Sequence, residues 1–139
     1  MARTTFNGPV VSQNGFIDGH QVTTANAVNS TATATAAQVA SGYITSTSAA
    51  PTTITLPTGT ALGAALGAVR GTTLDLFIDN TAGASTVTVA VNTNAVLSTA
   101  AVDTAGSFGD LTIASGATGI GRFTLMFSSP TAYTFTRTA

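Results

Sequence analysis

Thr73-Leu74-Asp75-Leu76-Phe77-Ile78-Asp79 places Leu74, Leu76 and Ile78 on one side of an extended chain and Asp75 and Asp79 on the other. Side chains alternate between the two faces of a strand, so these seven residues read as a strand with one buried face. Thr86 to Val91 repeats the pattern, with Val87, Val89 and Val91 on one face and Thr86 and Thr88 opposite. Working outward, Tyr43–Thr45, Thr53–Leu56, Ala95–Leu97, Leu111–Ile113, Arg122–Phe127 and Tyr133–Arg137 are further short strands. In the last two, Phe123, Leu125 and Phe127, then Tyr133 and Phe135, keep the period of two. Turn signals separate the runs at Pro57-Thr58-Gly59, Asn80-Thr81-Ala82-Gly83, Asn92-Thr93-Asn94, Gly106–Asp110, Gly116–Gly121 and Ser129-Pro130. This alternation predicts an all-β fold: an antiparallel β-sandwich or jelly-roll-like domain over residues 42–139. The exception is 61–70, where Leu62, Leu66 and Val69 have helical spacing and predict one short helical turn, weakened by Gly63 and Gly67.

Two segments precede this body. Residues 1–21 form an extended N-terminal arm with no sustained period, in which Asn7-Gly8-Pro9 and Asn14-Gly15 are turns. Its apolar content is too small to fold alone, so it reads as a partner-docking segment acting through Phe6, Val10 and Phe16. Residues 22–41 are a Thr/Ala-rich linker or edge strand: Thr31 to Ala36 alternates like a strand, while Ala favours a helix over Ala32–Ala40.

Composition narrows the function classes. The chain has 139 residues, 6% of them charged, and a net charge of −1; an ordinary globular protein carries roughly a quarter charged residues. Four Arg without Lys make no basic face for nucleic acid. Absence of Cys excludes disulfides and thiolate metal sites. No apolar run approaches the roughly 20 residues that span a bilayer, and the opening lacks a signal-peptide core. The expectation is neither nucleic-acid nor membrane binding, and no cofactor. A hydrophobic share of 44% argues against disorder. A neutral Thr/Ser/Asn surface, with no Lys to blunt strand edges, suits a part built into an assembly and favours an oligomer.

No constellation carries chemistry. A Ser12–His20–Asp18 triad would lie in one turn-rich stretch with no oxyanion pocket. Asp75 and Asp79, four apart on a strand, are separated by roughly 13 Å and read as solvent-facing charges. Asp103 and Asp110 in loops have no pattern specific to Ca²⁺. Gly116–Gly121 has the wrong spacing for a dinucleotide loop and reads as a hairpin connection. The Gly63–Gly67 pair sits in too short a segment for a membrane helix, and Asn29-Ser30-Thr31 is a chance sequon in a Thr-rich run. Thr53/Thr55 and Thr86/Thr88 are single pairs rather than the long Thr rows of ice-binding solenoids. One His, with no Glu, Lys or Cys, opposes an enzyme.

Thr5-Phe6-Asn7-Gly8-Pro9-Val10-Val11-Ser12-Gln13-Asn14-Gly15-Phe16 resembles the opening of small virion proteins of tailed bacteriophages. The later order, TITLPTGTALGAALG, then TLDLFIDNTAGASTVTVAV, then GRFTLMFSSPTAYTFTR, is similar to the same group; together these cover residues 5–16 and roughly 52–137. The resemblance implies a capsid decoration, or cement, protein: a trimeric β-sandwich or jelly roll that binds the major capsid protein on the outer capsid surface of the virion and resists the pressure of packaged DNA. By position it implies that the arm contacts the capsid, through Arg3, Thr5, Phe6, Pro9, Val10, Asn14 and Phe16. The longer Thr/Ala segment departs from that pattern and leaves the arm's path open. The rival expectation is a phage tail or head-fibre module that touches a host glycan, disfavoured because Tyr43, Tyr133 and seven Phe give no visible aromatic cluster.

Overall fold

The computed structural model describes residues 26–97 and 111–139. The elements run β1 (Ala32–Thr33), α1 (Ala36–Ala40), β2 (Tyr43–Thr45), β3 (Thr52–Thr55), α2 (Gly59–Leu66), β4 (Thr73–Asp79), β5 (Val87–Ala90), β6 (Ala95–Leu97), β7 (Thr112–Ile113), β8 (Ile120–Ser129) and β9 (Ala132–Arg137). The strands make a four-stranded sheet, ordered β1-β3-β5-β7, and a five-stranded sheet, ordered β2-β4-β8-β9-β6. The chain is therefore β-rich, as the periodicity predicts.

The strand directions differ from the expectation. From β1 to β8 each strand belongs to the sheet opposite the one before it, and β8–β9 alone joins consecutive neighbours. Three of the returns to a sheet after visiting the other bring the strand in parallel to its predecessor there: β1 with β3, β3 with β5, and β2 with β4. β6 also runs parallel to β9, while β4–β8, β8–β9 and β5–β7 are antiparallel. Both sheets are mixed, so the antiparallel expectation is corrected. Its cause is physical: turn residues mark where the chain reverses, not whether it reverses within a sheet or crosses between sheets. Gly116–Gly121 is corrected on the same ground. It carries the chain from β7 to β8 in the other sheet through a 3-10 turn at Gly116–Thr118, and is not a hairpin.

One hydrophobic core takes side chains from both sheets, including Ile44, Leu76, Ile78, Leu125 and Phe135 from the larger and Ile54, Val87, Val89 and Ile113 from the smaller. Phe123 meets Phe135 edge-on at 6.4 Å, and Phe127 lies 5.2 Å from Tyr133. The Tyr133 hydroxyl, whose pKa burial pushes far above its usual range, donates to the Pro57 carbonyl at 2.8 Å. Val91, expected inward, is exposed because β5 ends at Ala90.

Both readings of the Thr/Ala segment are used in turn. Thr31–Ala36 supplies β1 at the edge of the smaller sheet. Thr35 then starts α1 with a capping box: its hydroxyl accepts from Gln38 N at 3.1 Å and its own N–H donates to Gln38 Oε1 at 2.8 Å. Val28, Ala34 and Val39 join the core.

α2 begins earlier than its apolar spacing predicts, because the Thr58 hydroxyl accepts from Ala61 N at 3.2 Å and caps it. It stops at Gly67, which is left-handed with φ 59°, so Val69 falls outside the helix and is exposed. Gly63 lets the helix touch the β8–β9 turn: a Cβ there would lie 1.8 Å from the Pro130 carbonyl oxygen. The residue that weakens the helix signal is the one that seats it.

Candidate functional site: an exposed sheet face

The inward positions of β4 and β8 are filled by core residues, which sends Thr73, Asp75, Phe77 and Asp79, and Ile120, Arg122, Thr124, Met126 and Ser128, to the outer face of the five-stranded sheet. Register aligns these into rows. Tyr43, Phe77 and Arg122 form one; Asp75, Thr124 and Thr136 another. Thr45, Asp79 and Ile120 form a third, and Thr73, Met126, Thr134 and Val96 a fourth. Tyr43, Phe77, Ile120, Met126 and Val96 are 38–53% exposed. Among the described residues, only Val69 and Val91 are exposed large hydrophobics outside this face.

A polar frame holds the apolar side chains. Arg122 pairs with Asp75 Oδ2 and lies 5.7 Å from the centre of the Phe77 ring. The Thr124 hydroxyl donates to Asp75 Oδ1 at 2.7 Å. Asp79 accepts from the Tyr43 hydroxyl at 2.6 Å and from the Thr81 N–H and hydroxyl at 2.9 and 2.6 Å. The Thr124 hydrogen bond, with Arg122 adding to it, holds the Asp75 carboxyl below its ordinary pKa. Thr81 and then Tyr43 do the same for Asp79, and the Asp79 carboxylate raises the Tyr43 hydroxyl. The two carboxylates are thus ionised anchors at neutral pH, more than the plain solvent-facing charges expected of them.

A depressed native pKa stabilises the fold above the unfolded value of about 3.9 and loses that contribution as pH falls through the native value. Thermal melts between pH 7 and pH 2 should show an acid loss that becomes shallower in the D75N/D79N double variant. The difference at neutral pH should stay within about 1 kcal/mol per site, because both residues are only half-buried and solvent screens their interactions. Identical pH profiles for the two proteins would contradict the anchoring.

Elsewhere, the Asn29 side-chain oxygen accepts from Thr47 N at 2.8 Å, so the sequon asparagine has a local structural role. Arg3, Thr5, Phe6, Pro9, Val10, Asn14 and Phe16 lie outside the described residues, as do Ser12, Asp18, His20, Asp103 and Asp110. Among the described residues no three His, Cys, Asp or Glu come together, and no helix is long and apolar enough to cross a membrane. Sequence reasoning missed the face itself. Its signal was present: Phe77 and Met126 are apolar residues at positions whose neighbours face the core.

Exposed Tyr, Phe, Met and Arg around a satisfied ion pair is the composition of a protein-interface centre. The face can bind a flat, apolar, hydrogen-bonding partner. Comparison with protein-family models, with curated proteins and with solved structures gives no match for this chain.

Proposed function

We propose that the chain is a non-enzymatic structural protein of a tailed-bacteriophage virion, a capsid decoration protein. In this reading it binds the major capsid protein on the outer capsid surface as an oligomer and stabilises the shell against internal DNA pressure. The observation that carries the reading is the outer face of the five-stranded sheet, an interface-like surface on a chain in which only 6% of residues are charged. The resemblance of the arm to phage virion proteins supplies the kind of assembly. The core shared by the two sheets supports stacking as a two-layer sandwich.

The arm at 1–21 fastens the body to the shell, and the sheet face joins copies. Several arms on one oligomer turn weak individual contacts into firm attachment through effective concentration. Contacts made by Thr, Asn, Pro and Phe depend little on salt.

Co-sedimentation with capsids stripped of this protein tests the reading. The full chain should attach, and attachment should persist in high salt. A variant lacking residues 1–16 should stay folded and oligomeric yet remain in the supernatant. Equal attachment by the truncated chain would remove the arm from this role, and failure of the full chain to attach would end the decoration reading.

A further inference from the structure

We infer that Asn7-Gly8 and Asn14-Gly15 are spontaneous modification sites, at which each asparagine converts to aspartate or isoaspartate and the arm thereby loses its hold on the capsid. The loss of attachment rests on the arm's role in the proposed function. The conversion itself does not.

Glycine sets the reactivity. The backbone nitrogen of the following residue gives up its proton to solvent and attacks the asparagine Cγ. The N–Cγ bond forms, the Cγ–Nδ2 bond breaks, and ammonia leaves with a proton taken from solvent, closing a cyclic imide. Water then opens the ring. Attack at the side-chain carbonyl gives aspartate, and attack at the main-chain carbonyl gives isoaspartate. Water is the sole co-reactant, and nothing is oxidised or reduced. A Cβ on the following residue crowds the attacking nitrogen and narrows its backbone dihedrals; glycine imposes neither restriction.

The fold directs this chemistry to the arm. Of the seven asparagines in the sequence only Asn7 and Asn14 precede glycine, and both lie outside the described residues. Asn26, Asn29, Asn80, Asn92 and Asn94 precede Ala, Ser or Thr. Several of these are also held away from the reaction. Asn26 Nδ2 donates to the carbonyls of Gln38 at 2.9 Å and Tyr43 at 2.6 Å. Asn80 is buried with Nδ2 tied to the carbonyls of Ser85 and Ala114. The Thr81 N–H, whose nitrogen would attack Asn80, donates instead to Asp79 Oδ1 at 2.9 Å. The Ala95 N–H, next to Asn94, donates to the Asn92 carbonyl at 3.0 Å.

Conversion changes what the arm offers a partner. Each event adds one negative charge, so two take the formal net charge of the chain from −1 to −3. Contacts made by Thr, Asn, Pro and Phe supply no cation, and an unpaired carboxylate resists burial. Isoaspartate adds a second effect. It routes the main chain through Cβ and Cγ, which lengthens it by one atom and displaces the contact residues on one side of it from those on the other.

Peptide mapping by mass spectrometry, on full chain sampled during storage in mildly alkaline buffer, tests the chemistry. Exchange of NH₂ for OH should appear at Asn7 and Asn14 about tenfold faster than at any other asparagine, with isoaspartate at both. The G8A/G15A double variant should slow it about tenfold, with an unchanged far-ultraviolet circular dichroism spectrum. Attachment is read by co-sedimentation with stripped capsids. Chain stored in mild alkali should bind about tenfold more weakly than chain stored equally long in mild acid, where the attacking nitrogen keeps its proton. The G8A/G15A variant should keep its own initial binding through the same alkaline storage. Absence of exchange at the two sites, equal rates at other asparagines or in G8A/G15A, or equal binding after acid and alkaline storage would overturn the inference. Conversion with undiminished binding would do so while leaving the decoration reading standing. Failure of the acid-stored chain to bind at all would end that reading and the attachment loss together, with the conversion still decided by the mapping.

Discussion

Gly63→Ala is expected to destabilise the protein by about 3 kcal/mol or more, the range of severe overpacking. In an isolated helix the same change gains about 1 kcal/mol, because Ala is the better helix former. The two effects have opposite signs, so the experiment decides which governs α2. Packing should win: the added Cβ would lie 1.8 Å from the Pro130 carbonyl oxygen and 3.3 Å from the Phe127 ring. Neither neighbour can yield cheaply, since the first is backbone and the second belongs to a buried core residue. The melting temperature should fall by about 10 °C. Gly116→Ala is the control. Nothing lies within 4 Å of its Cβ position, and only its φ of +77° opposes the change, at a cost of about 1–2 kcal/mol. Equal stability of the Gly63→Ala variant and the original chain would mean that α2 is not seated on the β8–β9 turn.

The second large effect is expected at Asn80, which follows β4 where the chain leaves one sheet for the other. Its side-chain amide donates to the carbonyls of Ser85 at 2.8 Å and Ala114 at 2.9 Å, and more distantly to Ile113 at 3.4 Å. One buried NH₂ thereby ties the β4–β5 turn to the end of β7. Asn80→Asp keeps the shape and replaces the donor by an acceptor facing carbonyl oxygens. At pH 7 the loss should be about 3–5 kcal/mol, the scale of an uncompensated buried charge. The sign of its pH dependence follows from the native state raising that carboxyl's pKa. The variant should be least impaired below the unfolded pKa of about 3.9 and lose stability as pH rises above it. This is opposite in direction to Asp75 and Asp79, whose native values are lowered. Urea titrations of both proteins at pH 3.5 and pH 7 check it. A penalty independent of pH would show that the introduced carboxyl reaches water.

Individual strands were legible because their information is local. Leu74, Leu76 and Ile78 alternate with Asp75 and Asp79, and β4 has the predicted bounds. Sheet membership was not legible, because it depends on where a turn sends the chain. Asn80-Thr81-Ala82-Gly83 looks like a hairpin turn in sequence and serves as a crossing between sheets. Gly63 misled for a related reason: propensity describes a helix alone, whereas the glycine answers to Pro130, far away in sequence. The exposed face was half legible. Phe77 and Met126 break the polar side of their strands, but their union with Tyr43 and Val96 requires the mixed sheet order β2-β4-β8-β9-β6.

The central claim is that this charge-poor β body works as an attached part of a larger shell. A cryo-electron microscopy map of purified virions, with density for this chain identified by its two sheets, tests it most directly. The account predicts that density on the outside of the capsid, with residues 1–21 against the major capsid protein. Density in the tail alone, or none on the particle, would contradict it.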